Sequence, residues 1–440
     1  MKTCLSFLLG FLAAAVIPEA SALPAFARQT GMECNACHQQ HFPVLNTFGR
    51  AFKAAGYTMM GSEGVVEGEH FSLPVTLNAA VLIKMRYQRQ SNGGQGLRDG
   101  TGTATGNGMW QFGDEFSLFF GGRVGENIGF LMENNVAASK GPLVAGLRVP
   151  IMTEVSGARV SVIPFTTDAL GVEYGYELSS AGVMRANRWA ELRRDASAIQ
   201  YAIADGNGSH TAWAGAAAGL AFVAQNDTGY INYTRWMPDA LPGGNAGETP
   251  SFSPESNYLR IAVTPTVGDW AIVGGIGIMA GSSELSGAGT AGTVDSAMVR
   301  TEARFADLQV QGQVGGRDMS LYATYARAPA DGSSSGFRPQ MFNTGTMIKS
   351  AIAVGVDYSI VPHALHIGGA YRMGKTGVAS VADPSVSTTD NALMLQAIYD
   401  LTQNVALHAT AASRSGSKYS EAPTTAVGAK EYILMLEAAW

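Results

Sequence analysis

Charge is scarce in this chain. Only 15% of its residues are Asp, Glu, Lys or Arg, low for a soluble globular protein. What charge there is sums to −6, without the basic excess that marks nucleic-acid binders, which argues against nucleic acid as a partner. Cysteine is nearly missing: three residues in 440 cannot build a cross-linked secreted framework. Long apolar runs are missing too. Outside the N-terminal leader the longest runs from Ala212 to Ala224, short of the ~20 residues a spanning helix requires. A helical membrane protein is thereby excluded. Yet 46% of the residues are hydrophobic, so the chain is not disordered. Glycine, at 54 residues, is plentiful. An apolar, glycine-rich, poorly charged chain without a spanning helix needs another explanation.

The leader supplies part of it. Met1-Lys2-Thr3 precedes a mostly apolar run from Cys4 to Ile17, then Pro18 and the small-residue site Ala20-Ser21-Ala22. Charge, apolar run and cleavage site stand in the order of a secretory signal peptide, which a soluble N-terminal helix would not require. Cleavage after Ala22 removes Cys4 and leaves Cys34 and Cys37, followed at once by His38.

Cys34-Asn35-Ala36-Cys37-His38 is C-x-x-C-H, the attachment site of a c-type haem. The two thiols, about one helical turn apart, add to the two vinyl groups of the macrocycle, and the next residue offers its imidazole to the iron. A redox dithiol would sit in a βαβ pattern, which this region lacks. A zinc site would need more ligands than His41 and His70 provide. The expected cofactor is therefore one covalently bound haem c, held by Cys34 and Cys37 with His38 as proximal ligand.

Phe42, Leu45, Phe48 and Phe52 recur at spacings of three and four, which predicts a helix from Pro43 to Ala55 with one apolar face and a stop at Gly56. That face either covers haem or is an ordinary core face. His41 lies on the same side of the iron as His38, so the distal candidates are Met59, Met60 and His70. A helix over 43–55 carries the chain roughly 20 Å, and four or five extended residues return about 13–18 Å. The two methionines thus reach the iron only if the helix runs across the haem face. His70 has ample chain. Methionine raises the potential, and the reading leans to Met59 or Met60, against simple packing.

Leu23-Pro24-Ala25-Phe26-Ala27-Arg28-Gln29-Thr30-Gly31, the haem motif, and then Phe48-Gly49-Arg50, Phe52-Lys53 and Gly56-Tyr57 resemble the N-terminal signature of the fused monohaem cytochrome–porin family. Its best-known members are outer-membrane iron oxidases. The match covers about 35 residues; the rest is similar in pattern and length. The resemblance implies haem ligation by Cys34, Cys37 and His38, a barrel of about 16 strands, and oxidation of Fe(II).

From Phe71 to Trp440 the chain reads as many short strands and almost no helix. Val75, Leu77, Ala79, Val81, Ile83, Met85 and Tyr87 share one face, and Thr76, Asn78, Lys84, Arg86 and Gln88 the other. The same alternation recurs over 348–358, 365–373 and 405–414. Alternation alone fits a soluble β-sandwich or propeller equally well. Connection lengths discriminate: short turns at 266–269, 315–318, 360–363 and 401–404 alternate with long Gly/Ser/Thr-rich loops near 281–296, 328–347, 375–390 and 415–429. Outer-membrane barrels alternate in this way. Parity flips near Ala306-Asp307, which predicts a β-bulge. The last strand ends on Trp440, resembling the signal by which such barrels are recognised for assembly. The count is 16 to 18, with 144–206 unclear, and 16 is adopted because the resemblance implies it. The Arg185, Arg188, Arg193, Arg194 cluster lines the pore, binds an anion or is solvated wall, and is given no role. His366, Arg372, His408 and Arg414 are expected to face inward.

The fold expected is thus all-β: an antiparallel outer-membrane β-barrel with a small helical haem segment. The domains are a signal peptide (1–22), a cytochrome segment (23–70) and the barrel (71–440). A segment of about 48 residues buries little surface, so it is expected to borrow walls from the barrel as a plug in the lumen or at the periplasmic mouth. The function expected is electron transfer across the outer membrane, from extracellular Fe(II) to a periplasmic cytochrome. The alternatives are a diffusion porin with a regulatory or occluding haem segment, and outward electron transfer to an external acceptor.

Overall fold

The structure, a computed structural model, describes residues 24–61, 63–69, 71–91, 108–136, 143–203, 215–238, 254–284, 298–332, 338–421 and 428–440. The signal peptide, Leu23 and His70 lie outside the described residues. Sixteen antiparallel strands close into a barrel. In chain order they are β1 (Ala79–Gln90), β2 (Met109–Gly125), β3 (Ile128–Asn135), β4 (Val144–Arg148 continuing as Ile151–Val155), β5 (Ala158–Thr167), β6 (Ala217–Asn226), β7 (Gly229–Pro238) and β8 (Ser256–Val263 continuing as Thr266–Val267). Then follow β9 (Trp270–Ala280), β10 (Ala303–Val314), β11 (Arg317–Ala328), β12 (Lys349–Val361), β13 (Leu365–Ala379), β14 (Asn391–Thr402), β15 (Val405–Ser415) and β16 (Lys430–Ala439). β4 is interrupted at Pro150, which has no N–H for the ladder, yet both of its pieces pair with β3 and β5. The ring closes where β16 pairs with β1, from Glu431 opposite Gln90 to Ala439 opposite Leu82.

Period-2 alternation puts apolar side chains outside. On β12, Ile352 and Val354 are exposed while Ala351 and Ala353 are buried; on β14, Leu393 and Leu395 are exposed while Met394 and Gln396 are buried. The interior is polar as well as apolar: Gln309, Ser320, Asp357, His366 and Glu437 are all buried. Exposed Trp110 and Tyr432 stand near one end of the wall, Trp440 and Tyr399 near the other. A closed ring with an apolar outer band and aromatics at both rims is an outer-membrane barrel. No described helix is long and apolar enough to cross a membrane; the strands do so.

Turns at 126–127, 156–157, 227–228, 268–269, 315–316, 362–364 and 403–404 share one end. Gly315 and Gly316 both adopt positive φ, 61° and 73°, which a two-residue hairpin of this twist requires. The short-turn end faces the periplasm. Between β9 and β10 the structure corrects the expected bulge. Register runs without a shift over Ala303–Gln311 against β9 and over Arg304–Val314 against β11. The apparent flip comes from composition: Phe305 is buried in the lumen and Arg304 is exposed, the reverse of the usual polarity.

The lumen is filled by two segments. The first is N-terminal: α1 (Pro24–Thr30), α2 (Cys34–Cys37) and α3 (Thr47–Ala54). Here the helix expected from Pro43 starts four residues later, at Thr47. Asn46 is its N-cap, accepting from Gly49 N at 2.9 Å, and the loop 38–46 first folds back on itself, with Val44 O accepting from Gln39 N at 2.9 Å. The stop at Gly56 holds, with φ +60°. A hairpin, Val65–Gly68 with Phe71–Pro74, straddles the expected boundary at 70/71 and leads into β1.

The second segment, 168–203, hangs inside the barrel between β5 and β6 and carries α4 (Arg193–Ala196) and α5 (Ala198–Ala202). The sequence reading has no such element. Residues 144–206 are the unclear stretch of the strand count, and Arg185, Arg188, Arg193 and Arg194, which have no role there, all belong to the inner segment and line the lumen. Trp189 stacks on Tyr322 of β11 with ring centroids 4.7 Å apart. A Cβ at Gly355 would collide with that indole, so the wall there is glycine. Arg260 of β8 binds Glu177 and Asp307 at 2.7 Å each, all three fully buried, fastening the segment to the wall.

Candidate functional site

The C-x-x-C-H motif lies at the short-turn mouth. α2 is a single turn, with His38 N donating to Cys34 O at 2.9 Å, so both cysteines project from one short helix. Neither is in a disulfide. Cys34 Sγ donates to Gln403 O, in the β14–β15 turn, at 2.8 Å. Gln403 also donates to Glu33 at 2.9 Å, and Gln40 to Asp318 O, at the β10–β11 turn, at 3.1 Å. The motif is therefore seated against periplasmic turns by polar contacts on both sides.

His38 leaves α2 in extended conformation and bridges to Leu45. Its Nδ1 lies 3.3 Å from Val44 O. Burial, as the largest effect, pushes the imidazole down to about 4, so at neutral pH it is uncharged. With Nδ1–H donating to the carbonyl, the lone pair is on Nε2, the tautomer of a metal-ligating histidine. Asn46 holds the motif in place, donating to Asn35 O at 3.2 Å and Ala36 O at 3.0 Å while capping α3. Gly49, in the first turn of α3, packs on Cys37; a Cβ there would collide with the Cys37 carbonyl. Asn46 went unremarked in the sequence reading, although an Asn three residues before Gly49 carries a cap signal.

Beside the motif opens a cavity of about 340 Å³, within the usual size of cofactor sites. Cys34, Cys37, His38, Phe42, Leu45 and Phe52 all line it. Phe26, Phe52 and Tyr57 form its aromatic wall, with ring centroids 5.0–5.8 Å apart. The barrel adds Leu131 and Ala145, and the inner segment adds Met184, Arg185, Arg188 and Arg193. Two thiols on one turn, a neutral imidazole with its second nitrogen tied, and an aromatic-walled cavity fit a c-type haem.

The distal methionine candidates are not brought to the cavity. Gln29 Nε2 donates to Tyr57 O at 2.6 Å and to Met59 O at 2.8 Å, and Gly61 N donates to Gln29 O at 3.0 Å. The chain beyond α3 is thus tied along α1, and Met59 is exposed. The methionines lining the cavity are Met32, exposed, and Met184, fully buried.

His366, Arg372, His408 and Arg414 do face inward. His41 Nε2 binds Asp357 of β12 at 2.8 Å, and His366 Nε2 binds Asp400 at 2.9 Å. The His41 ring is 6.0 Å from that of His366 and 6.4 Å from that of His408. These imidazoles dock the plug; among the described residues no group of three side chains is placed to hold a metal ion. Arg372 and Arg414 reach Asp195 of the inner segment at 3.6 and 2.7 Å. Toward the long loops a second cavity of about 500 Å³ opens, lined by Arg86, Asp114, Arg194 and Glu431. It shares Glu115, Asp168, Arg185 and Arg193 with the first.

No family model matches the chain, and no curated protein does. Among solved structures it is similar to the outer-membrane OmpT of Vibrio cholerae, at 11% identity over 86% of this chain and 100% of that one, with a TM-score of 0.44. It is also similar to the outer membrane channel DcaP of Acinetobacter baumannii, at 9% identity over 86% and 100%, with a TM-score of 0.46. A third is the outer membrane protein OpdK of Pseudomonas aeruginosa, at 12% identity over 82% and 98%, with a TM-score of 0.39. The barrel assignment rests on this chain's own strand pairing.

Proposed function

We propose that this outer-membrane barrel is a c-type cytochrome that carries electrons through the wall of the cell, taking them from extracellular Fe(II) and delivering them to a periplasmic cytochrome. The observation that carries the reading is the placement of Cys34, Cys37 and His38 against the periplasmic turns, on the floor of a cavity inside the lumen. Cys34 and Cys37 would bind the macrocycle and His38 its iron, and the bound group supplies a one-electron Fe(III)/Fe(II) couple. The chain's residues then position and insulate. Val44 and Asn46 fix the imidazole and the attachment turn; Phe26, Phe52 and Tyr57 exclude water; the inner segment covers the cavity from the outer side. The half-buried motif stands at the mouth with Met32 and Glu33 exposed beside it, which suits a soluble partner in the periplasm. Iron as donor comes from the resemblance of the first residues to outer-membrane iron oxidases.

A second reading has an observation of its own. The two cavities share lining residues, so they lie side by side between the long-loop mouth and the motif. This favours a porin whose haem segment occludes the pore. Anaerobic mixing of purified, haem-loaded protein with Fe(II) separates the two. Reduction of the haem absorbance supports the electron carrier; an inert haem in a conducting pore supports the porin.

A further inference from the structure

α3 places two residues of the N-terminal segment on one face, one turn apart: Gly49 and Lys53. Gly49 packs on the Cys37 carbonyl, and Lys53 lies farther from the thiols along the same cavity. Its side chain is only 8% exposed, and Nζ makes no hydrogen bond. Arg148 of β4 lines the cavity as well and is 5% exposed. Its guanidinium lies over Tyr174 at 4.7 Å and Tyr57 at 5.3 Å, and it donates to Tyr174 O at 2.9 Å, but Nε makes no hydrogen bond.

Of the four other cations lining this cavity, three have carboxylate partners and Arg185 has a carbonyl. Lys84 pairs with Glu115, and Arg188 with Glu191 at 2.8 Å. Arg193 lies 3.9 Å from Glu191, and Arg185 donates to Ala169 O at 2.9 Å. Glu177, the carboxylate that acts on Lys53, is bound by Arg260 and Tyr230. Among the described residues neither Lys53 nor Arg148 forms an ion pair. Burial, and then the neighbouring Arg148 charge, hold Lys53 well below the usual lysine value. Two adjacent buried cations without a counter-charge are costly unless an anion completes them.

We propose that Lys53 and Arg148 form a dicarboxylate site that receives the two propionates of the macrocycle attached at Cys34 and Cys37. This rests on the haem reading above. Propionates are borne on the edge of the macrocycle remote from its vinyl groups, and Lys53 lies one helical turn beyond the residue that touches the attachment turn. The anchor fixes the tilt of the ring in the lumen and puts positive charge near its iron, which favours the reduced state.

The test uses full-length, haem-loaded protein and its variants Lys53→Met and Lys53→Arg. Covalent haem is quantified on denatured protein, and the midpoint potential is titrated spectroscopically across pH. A unit charge about 10 Å from iron, at an effective dielectric near 20, shifts the reduced-to-oxidised ratio by on the order of tenfold. Lys53→Met, poised at the wild-type midpoint, should lose reduced haem by about that factor. Its potential should also become pH-dependent, because a propionate now takes up a proton. Lys53→Arg should restore both properties. Loss of haem in Lys53→Met with retention in Lys53→Arg also supports the anchor, since charge is what distinguishes the two. Should Lys53→Met fail to fold, Arg148→Gln should lower the potential in the same direction. A wild-type potential and pH profile in Lys53→Met, with haem attached, overturns the anchor. Absence of covalent haem from the wild type overturns the haem reading itself, and the denatured-protein assay reports it separately.

Discussion

Replacing Arg260 by glutamine should open the lumen. Arg260 binds Glu177 of the inner segment and Asp307 of the wall at 2.7 Å each, and none of the three side chains is exposed. Tyr230 O–H donates to Glu177 at 2.6 Å and Ser179 O–H to Asp307 at 2.8 Å, so hydrogen bonds remain after the substitution. The cation does not, and two buried carboxylates then share one site. Breaking a buried pair in this way costs about 3–5 kcal/mol, a factor of roughly a hundred to several thousand in the docking equilibrium of the inner segment. The barrel should survive, because the ladder on both sides of Arg260 is backbone hydrogen bonding. Two assays read the opening: conductance in planar bilayers, and proteolysis within residues 168–203, which follows the population of the open form. Both should rise. Adding Glu177→Gln and Asp307→Asn should reverse most of the effect. If Arg260→Gln keeps wild-type conductance and protease resistance in an intact barrel, the inner segment is not held by this ion network and the account of the closed lumen is wrong.

Replacing Cys34 and Cys37 together by alanine should abolish covalent haem while leaving the heat-induced gel shift of a folded barrel; haem retained by the double variant refutes attachment at the motif. Gly49→Ala inserts a Cβ where the Cys37 carbonyl stands, an overpacking of about 1–3 kcal/mol, and should lower the yield of attached haem; a normal yield means the crossing of α3 over the motif is not needed. His41 is buried, which lowers its pKa, but the hydrogen bond and charge of Asp357 outweigh this and raise it above the ordinary value. The charged pair therefore contributes fully below the usual histidine pKa and loses its contribution as pH rises through the raised one. The difference in melting temperature between wild type and Asp357→Asn should be larger at pH 5 than at pH 9, and a pH-independent difference excludes an ion pair. Cysteine placed at Val354 should react with lipid-soluble thiol reagents and at Ala353 with none, since one is exposed on the outer face and the other buried.

The wall was legible because a strand with lipid on one side must alternate, and Val81, Ile83, Met85 and Tyr87 obey that requirement without exception. The inner segment was not, because residues inside a protein-filled lumen answer to neighbours distant in sequence: Trp189 to Tyr322, Asp195 to Arg414, Glu177 to Arg260. The same cause hid the inward Phe305, an apolar residue on the face where polarity is the rule. At the C-x-x-C-H motif, the spacing of Cys34, Cys37 and His38 predicts one short turn, and the structure has it. Spacing says less about the residues beyond α3. Chain reach permits Met59, but Gln29, some thirty residues earlier, ties that stretch elsewhere.

The seam between β1 and β16 constrains how the molecule can be made. It joins residues as far apart as Val81 and Trp440, whose backbones exchange hydrogen bonds, and so closes the longest loop in the chain, a slow contact to form. The inner segment is tethered at both ends, to β5 and to β6, and docks on strands far from both, β8, β11 and β13. The N-terminal segment runs directly into β1 and is gripped by β10, β11 and β12 across the lumen. Both fillings touch strands on opposite sides of the ring, so their docking draws the sheet into its curl and favours the meeting of its first and last strands. Wall and contents thus stabilise one another, and a bulky covalent modification of Cys34 and Cys37, which line the enclosed cavity, is easiest before the seam closes.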